Sequence, residues 1–103
     1  MSATATGTRD AVMGTLARNR EAIRRFGVTS LGLFGSAVRG DSTASSDLDF
    51  LVDFEHPTFD AYMDLKEYLE NLFARPVDLV LARTLKPRLR EAILRETVHA
   101  PGL

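Results

Sequence analysis

The 103-residue sequence predicts a small α/β (α+β) domain, a short mixed sheet flanked by helices. Apolar residues recur at helical spacing in three segments, three short apolar or alternating runs lie between and after them, and Gly or Pro marks most of the boundaries. The expected order is helix, strand, loop, strand, helix, strand, helix, with one domain over residues 8–103 behind a flexible tip of residues 1–7 rich in Ser, Thr, Ala and Gly.

From Arg9 to Phe26, the residues Val12, Leu16, Ile23 and Phe26 keep helical spacing, and Gly27 is placed to end the helix in a left-handed conformation. Val28 to Phe34 reads as a short buried strand running straight into Gly35-Ser36. A half-turn of helix and a small polar loop, Ala37 to Ser46, follow. Asp47 to Phe54 alternates, with Leu48, Phe50, Val52 and Phe54 on one face and Asp47, Asp49, Leu51 and Asp53 on the other. Asp60 to Phe73 carries Tyr62, Leu65, Leu69, Leu72 and Phe73 as a helical stripe, Pro57 disfavours an earlier start, and Arg75-Pro76 breaks it. Val77 to Leu81 is the next strand, with Asp78 opposite its apolar face. Thr84 is expected to cap a last helix with Pro87 in its first turn and Leu85, Leu89, Ile93 and Val98 along its stripe.

Composition narrows the function classes. No apolar stretch approaches the ~20 residues that span a bilayer, and the N-terminus lacks a signal-peptide pattern, so a cytoplasmic protein without membrane contact is expected. The absence of cysteine leaves only oxygen or imidazole as metal donors. The net charge of −1 conceals a division: Asp41 to Asp78 holds ten acids against Lys66 and Arg75, whereas the remainder is basic. A pI near 6 argues against a dedicated nucleic-acid-binding module.

The chemistry concentrates at Gly35-Ser36, Asp47-Leu48-Asp49 and Asp78. Two residues apart on a strand, Asp47 and Asp49 project to one face with Cα atoms roughly 7 Å apart. Crowded carboxylates repel unless a cation or shared proton relieves them, and magnesium suits an all-oxygen set that also meets substrate phosphates. Asp78, on a neighbouring strand, is placed to complete a triad, so two magnesium ions are expected, with Asp78 as a ligand of the acceptor-side ion only and also able to take the hydroxyl proton. Gly35 lets backbone approach a triphosphate closely, Ser36 offers a further hydrogen bond, and Arg39 is placed to pair with phosphate.

Gly35-Ser36, ten intervening residues, Asp47-x-Asp49, Arg39-Gly40 between them and Asp78 in a later strand together resemble the DNA polymerase beta-type nucleotidyltransferase superfamily. The short length, Ser46-Asp47-Leu48-Asp49 and the helix after Leu85-Lys86-Pro87 resemble its minimal members, the resemblance running from about Val28 to Val98. It implies the polymerase beta-like nucleotidyltransferase fold. It also implies the antitoxin half of a two-gene system that moves AMP from ATP to a tyrosine of a helical HEPN-type ribonuclease toxin and silences it. In that scheme Asp47, Asp49 and Asp78 are the metal ligands, with Gly35 and Ser36 at the triphosphate. Ala37 departs from the pattern, since many relatives carry a longer side chain there. A length of 103 residues leads us to expect no separate acceptor domain, which independently favours a protein acceptor that brings its own binding surface.

Plainer readings stand beside these. Taken alone, Asp47 and Asp49 read as edge-strand charges that discourage aggregation, but the complete set outweighs that reading. Arg39 is balanced between phosphate and an ion pair with Asp41 or another loop acid. Asp53, His56 and His99 read as surface residues, Tyr62 as core and Tyr68 as half-exposed. Two other functions remain open: a small-molecule (aminoglycoside-type) nucleotidyltransferase, with a homo-oligomer building the acceptor site, and a non-catalytic antitoxin that masks its toxin by binding.

Overall fold

The computed structural model describes residues 7–40 and 47–103; the N-terminal tip and most of the loop before Asp47 lie outside them. The elements are α1 (Gly7–Arg18), α2 (Arg20–Arg24), β1 (Val28–Phe34), α3 (Ser36–Arg39), β2 (Leu48–Phe54), α4 (Phe59–Phe73), β3 (Val77–Leu81), a 3-10 turn (Ala82–Thr84), α5 (Pro87–Glu96) and β4 (Val98–His99). The strands form one mixed sheet in the order β3-β2-β1-β4, with β1 antiparallel to β2 and to β4 and β2 parallel to β3. Among the described residues no helix is long and apolar enough to cross a membrane.

One face of this sheet makes the core. Leu31 and Leu33 of β1 lie opposite Val52 and Phe50 of β2, and Phe50 and Leu48 lie opposite Leu79 and Val77 of β3. These side chains join Val12, Leu16, Ile23, Leu65 and Leu69 from the helices in one buried cluster. The strand alternation therefore has a physical cause: each apolar position of β2 is removed from water, at about 25 cal/mol per Å² of apolar surface. A register shift between Val28 and Ser30 explains why the buried positions of β1 fall at 28, 31 and 33, because the extra residue of a bulge turns Val28 back to the core. The other face carries Asp49, Asp53 and Asp78, together with a buried Leu51.

The structure amends the expected elements at four places. The first helix is divided at Asn19, whose side-chain amide donates to the Thr15 carbonyl at 2.8 Å while its backbone N–H reaches the same oxygen at 3.1 Å. Asn competes for backbone acceptors in this way and interrupts helices. α4 begins one residue early because Thr58 caps it, accepting from the Ala61 N–H at 3.0 Å. Thr84 does not cap α5; its hydroxyl donates to the Leu81 carbonyl, and Lys86 stands at the uncapped start with Pro87 at the first position. Val98 leaves the helix for β4, two residues too short to show any alternation in sequence.

β3 is held in register from α4. The Glu70 carboxylate accepts from the Val77 N–H and from Lys66 Nζ, both at 3.0 Å, and these bonds hold its carboxyl below the usual range. The Tyr62 hydroxyl donates to the Leu79 carbonyl at 2.5 Å. Asp78 thus sits between two tethered residues.

Candidate active site

Register brings the acids together. In the parallel β2/β3 pair Asp49 lies directly beside Asp78, and neighbouring strands are about 4.8 Å apart. Asp47 precedes β2 and is exposed at the mouth of the strand, whereas Asp49 is half-buried. Phe34, the last residue of β1, pairs with Asp49, so the chain turns out of the sheet beside that carboxylate.

Gly35 makes the turn with φ 81° and ψ −152°, a combination essentially restricted to glycine. A β-carbon there would overlap Asp49 Oδ2, so the missing side chain is what lets the turn and the carboxylate share the space. Ser36 then opens α3, half-buried, and Arg39 closes it with a half-exposed guanidinium. The sequence thus places Gly35, Ser36, Arg39, Asp47, Asp49 and Asp78 around one end of β2. Residues 41–46, including Asp41, the pair first considered for Arg39, lie outside the described residues.

Electrostatics single out Asp49. Burial raises its carboxyl above the ordinary value; the charges of Asp78 and then Asp47 raise it further, Arg39 opposes them, and Glu96 adds to the repulsion. Among the described residues no three side chains already converge as a finished metal cage. The carboxylates share a face and a field, and an all-oxygen donor set that repels itself fits a hard cation which keeps waters and phosphate oxygens in its shell.

Glu96 is the residue that sequence reasoning missed. One oxygen of its carboxylate accepts from the Gly35 N–H at 3.0 Å and the other from Arg39 Nη1 at 3.1 Å. The Gly35 N–H is therefore already bonded within the protein, and the missing Gly35 side chain leaves the space beside Asp49 Oδ2. No local pattern identifies Glu96: it reads as one more charge on the last helix, and its partners lie 61 and 57 residues away.

The other candidates fall as expected. Asp53 pairs with Arg83 at 3.1 Å, His56 and His99 are exposed, and the Tyr68 hydroxyl donates to Asn19 Oδ1.

Residues 16–99 match the nucleotidyltransferase domain family. The protein adenylyltransferase MntA of Thermococcus cleftensis is 45% identical over 84 residues, which cover 81% of this chain and 85% of that one. A solved structure described provisionally as a minimal nucleotidyltransferase is 43% identical with a TM-score of 0.70, covering 84% of this chain and 93% of that one. The MNT antitoxin structure solved with a tri-AMPylated HEPN toxin of Shewanella oneidensis shares the fold at a TM-score of 0.63 and 19% identity, over 88% of this chain and 73% of that one. With four-fifths of its length inside the domain match and the acids gathered at one end of its sheet, the chain belongs to the nucleotidyltransferase family.

Proposed function

We propose that the chain is an antitoxin that transfers AMP from ATP to a tyrosine hydroxyl of a partner HEPN-type toxin and thereby silences it. The observation that carries this reading is Asp49, half-buried and raised, lying in register beside Asp78 with Asp47 at the strand mouth, in a chain 45% identical to a protein adenylyltransferase. Asp47 and Asp49 would hold magnesium, with Asp78 on the acceptor side. Magnesium, when bound, supplies charge neutralisation of the triphosphate and of the departing pyrophosphate.

The chain's own residues have separate tasks. Ser36 donates to a terminal phosphate oxygen, and Arg39 reaches phosphate from the end of α3. Asp78, exposed on β3, takes the acceptor side in this scheme and accepts the proton of the tyrosine hydroxyl as the tyrosine oxygen attacks the α-phosphorus and the bond to the pyrophosphate oxygen breaks. Burial, then the charges of Asp78 and Asp47, raise the carboxyl of Asp49, and a bound cation offsets the part that comes from those neighbouring charges.

The deciding experiment incubates the protein with magnesium, each nucleoside triphosphate in turn and the product of the adjacent gene, and then measures the masses of both chains. One or more AMP units on the partner with ATP is the expected result. The Asp47→Asn, Asp49→Asn double variant should fold and transfer nothing. Continued labelling of the partner by that variant would show the mechanism to be wrong, and neutralisation of the toxin without any mass change would favour masking by binding.

A further inference from the structure

We infer that Glu96 is a positioning residue of the nucleotidyltransferase site, holding Arg39 and the Gly35 turn in place from the far end of α5. The inference rests on the nucleotide reading above and extends it to a residue from outside the motif.

The geometry begins with the β1/β4 ladder. Gly32 pairs with His99 and Leu33 with Val98, so two residues beyond Leu33 the same register sets Gly35 opposite Glu96. In an antiparallel ladder alternate residues face one neighbour. The Leu31 carbonyl accepts from the Ala100 N–H at 2.8 Å, so Leu31, Leu33 and Gly35 all turn their backbone groups toward β4. At Gly35 the partner backbone has become helical, Glu96 being the last residue of α5. A Glu96 carboxylate oxygen takes the place of the missing ladder carbonyl.

That substitution frees the second carboxylate oxygen to hold Arg39. A backbone carbonyl could complete the ladder, but it could not also pair with a guanidinium. Gly32 makes the approach feasible, because a β-carbon there would overlap Thr97 Cγ2 and push the end of α5 away from β1. Thr97 in turn is fixed by donating its hydroxyl to the Ile93 carbonyl at 2.6 Å. Three sequence-distant segments therefore meet in one carboxylate: the turn beside Asp49, the end of α3 and the end of α5.

Glu96→Gln isolates the Arg39 arm, since the amide oxygen still accepts from Gly35 while the charge that holds Arg39 is gone. The experiment measures Mg-ATP dissociation constants with a fluorescent ATP analogue, Mn²⁺ affinity, and KM and kcat of transfer for the wild type, Glu96→Gln, Arg39→Gln and the double variant. The pair is half-exposed, so the expected loss of nucleotide affinity in Glu96→Gln is about three- to fivefold. The loss should fall on KM, leave Mn²⁺ affinity and kcat within about twofold, and not multiply with Arg39→Gln, because the two act as one unit.

Unchanged or tighter nucleotide binding in Glu96→Gln overturns the inference, tighter binding marking Glu96 as a competitor for phosphate donors. Independent multiplication of the two losses also overturns it. A wild-type chain that binds no Mg-ATP overturns the nucleotide reading and this inference together, whereas normal wild-type binding with an indifferent Glu96→Gln overturns the inference alone. Should Glu96→Gln unfold, Glu96→Asp carries the same test: it keeps the charge but is one methylene too short for both donors, and its affinity should lie below the wild type.

Discussion

Replacing Gly35 by alanine should damage both stability and chemistry, and the structure sets the scale. At φ 81° and ψ −152° an L-residue sits in a region essentially closed to side chains, which costs about 1–3 kcal/mol. The new methyl would also overlap Asp49 Oδ2, so the carboxylate or the turn must move, adding roughly 1 kcal/mol. A loss of about 2–4 kcal/mol is large against a total stability of about 5–15 kcal/mol. At about 4–8 °C per kcal/mol for a domain of this size, Tm should fall by roughly 8–32 °C. Gly14→Ala is the control, since its β-carbon meets nothing nearer than Arg18 Nη1 at 3.5 Å and the helix interior favours alanine by about 0.5–1 kcal/mol. Thermal and denaturant unfolding of the two variants, with transfer activity measured well below Tm, checks the reasoning. A Gly35→Ala protein with Tm within about 2 °C of the wild type and full activity would refute it.

Other perturbations follow from named contacts. Asp49 has a folded-state carboxyl raised above its ordinary value, chiefly by burial, so ionising it costs stability as pH climbs through and beyond the ordinary value of 3.8. Asp49→Asn should therefore be more stable than the wild type at pH 7, with the gap closing as pH is lowered toward 3.8; equal unfolding midpoints at pH 7 would contradict the electrostatic account. Thr58→Ala removes the α4 cap and should cost about 1 kcal/mol in urea unfolding, with little effect on nucleotide affinity. Phe50→Ala empties a fully buried position stacked on Phe73 at 5.8 Å and should cost about 3–5 kcal/mol, measured by the same unfolding curves. Tyr62→Phe leaves the Leu79 carbonyl without its hydroxyl donor and should cost about 1 kcal/mol; a larger loss of transfer than of stability would show that this tether positions Asp78.

The strands were legible because each has a strong local signature. Val28–Phe34 and Val77–Leu81 match their expected bounds, and Leu48–Phe54 shows the alternation that put Asp49 opposite the core. What failed was local chemistry whose outcome depends on competition or distance. The Asn19 side-chain amide shares the Thr15 carbonyl with the helical N–H, and Tyr68, 49 residues away, donates its hydroxyl to Asn19 at the break. Thr84 is placed in sequence to accept from a helix N–H ahead of it, and its hydroxyl instead donates to the Leu81 carbonyl behind it. β4 owes its existence to the exposed edge of β1 rather than to its own two residues.

The sequence by itself determined the periodicities, and with them the main helices and strands and the face of each acid, because alternation and helical spacing are properties of adjacent residues. Only the tertiary structure decided which strands adjoin, hence that Asp49 lies beside Asp78, and which group takes the Gly35 N–H. A donor that points sideways from a strand is satisfied by whatever the fold brings there. Here that is Glu96, whose selection depends on ladder register and helix length together, quantities that no short window of residues encodes.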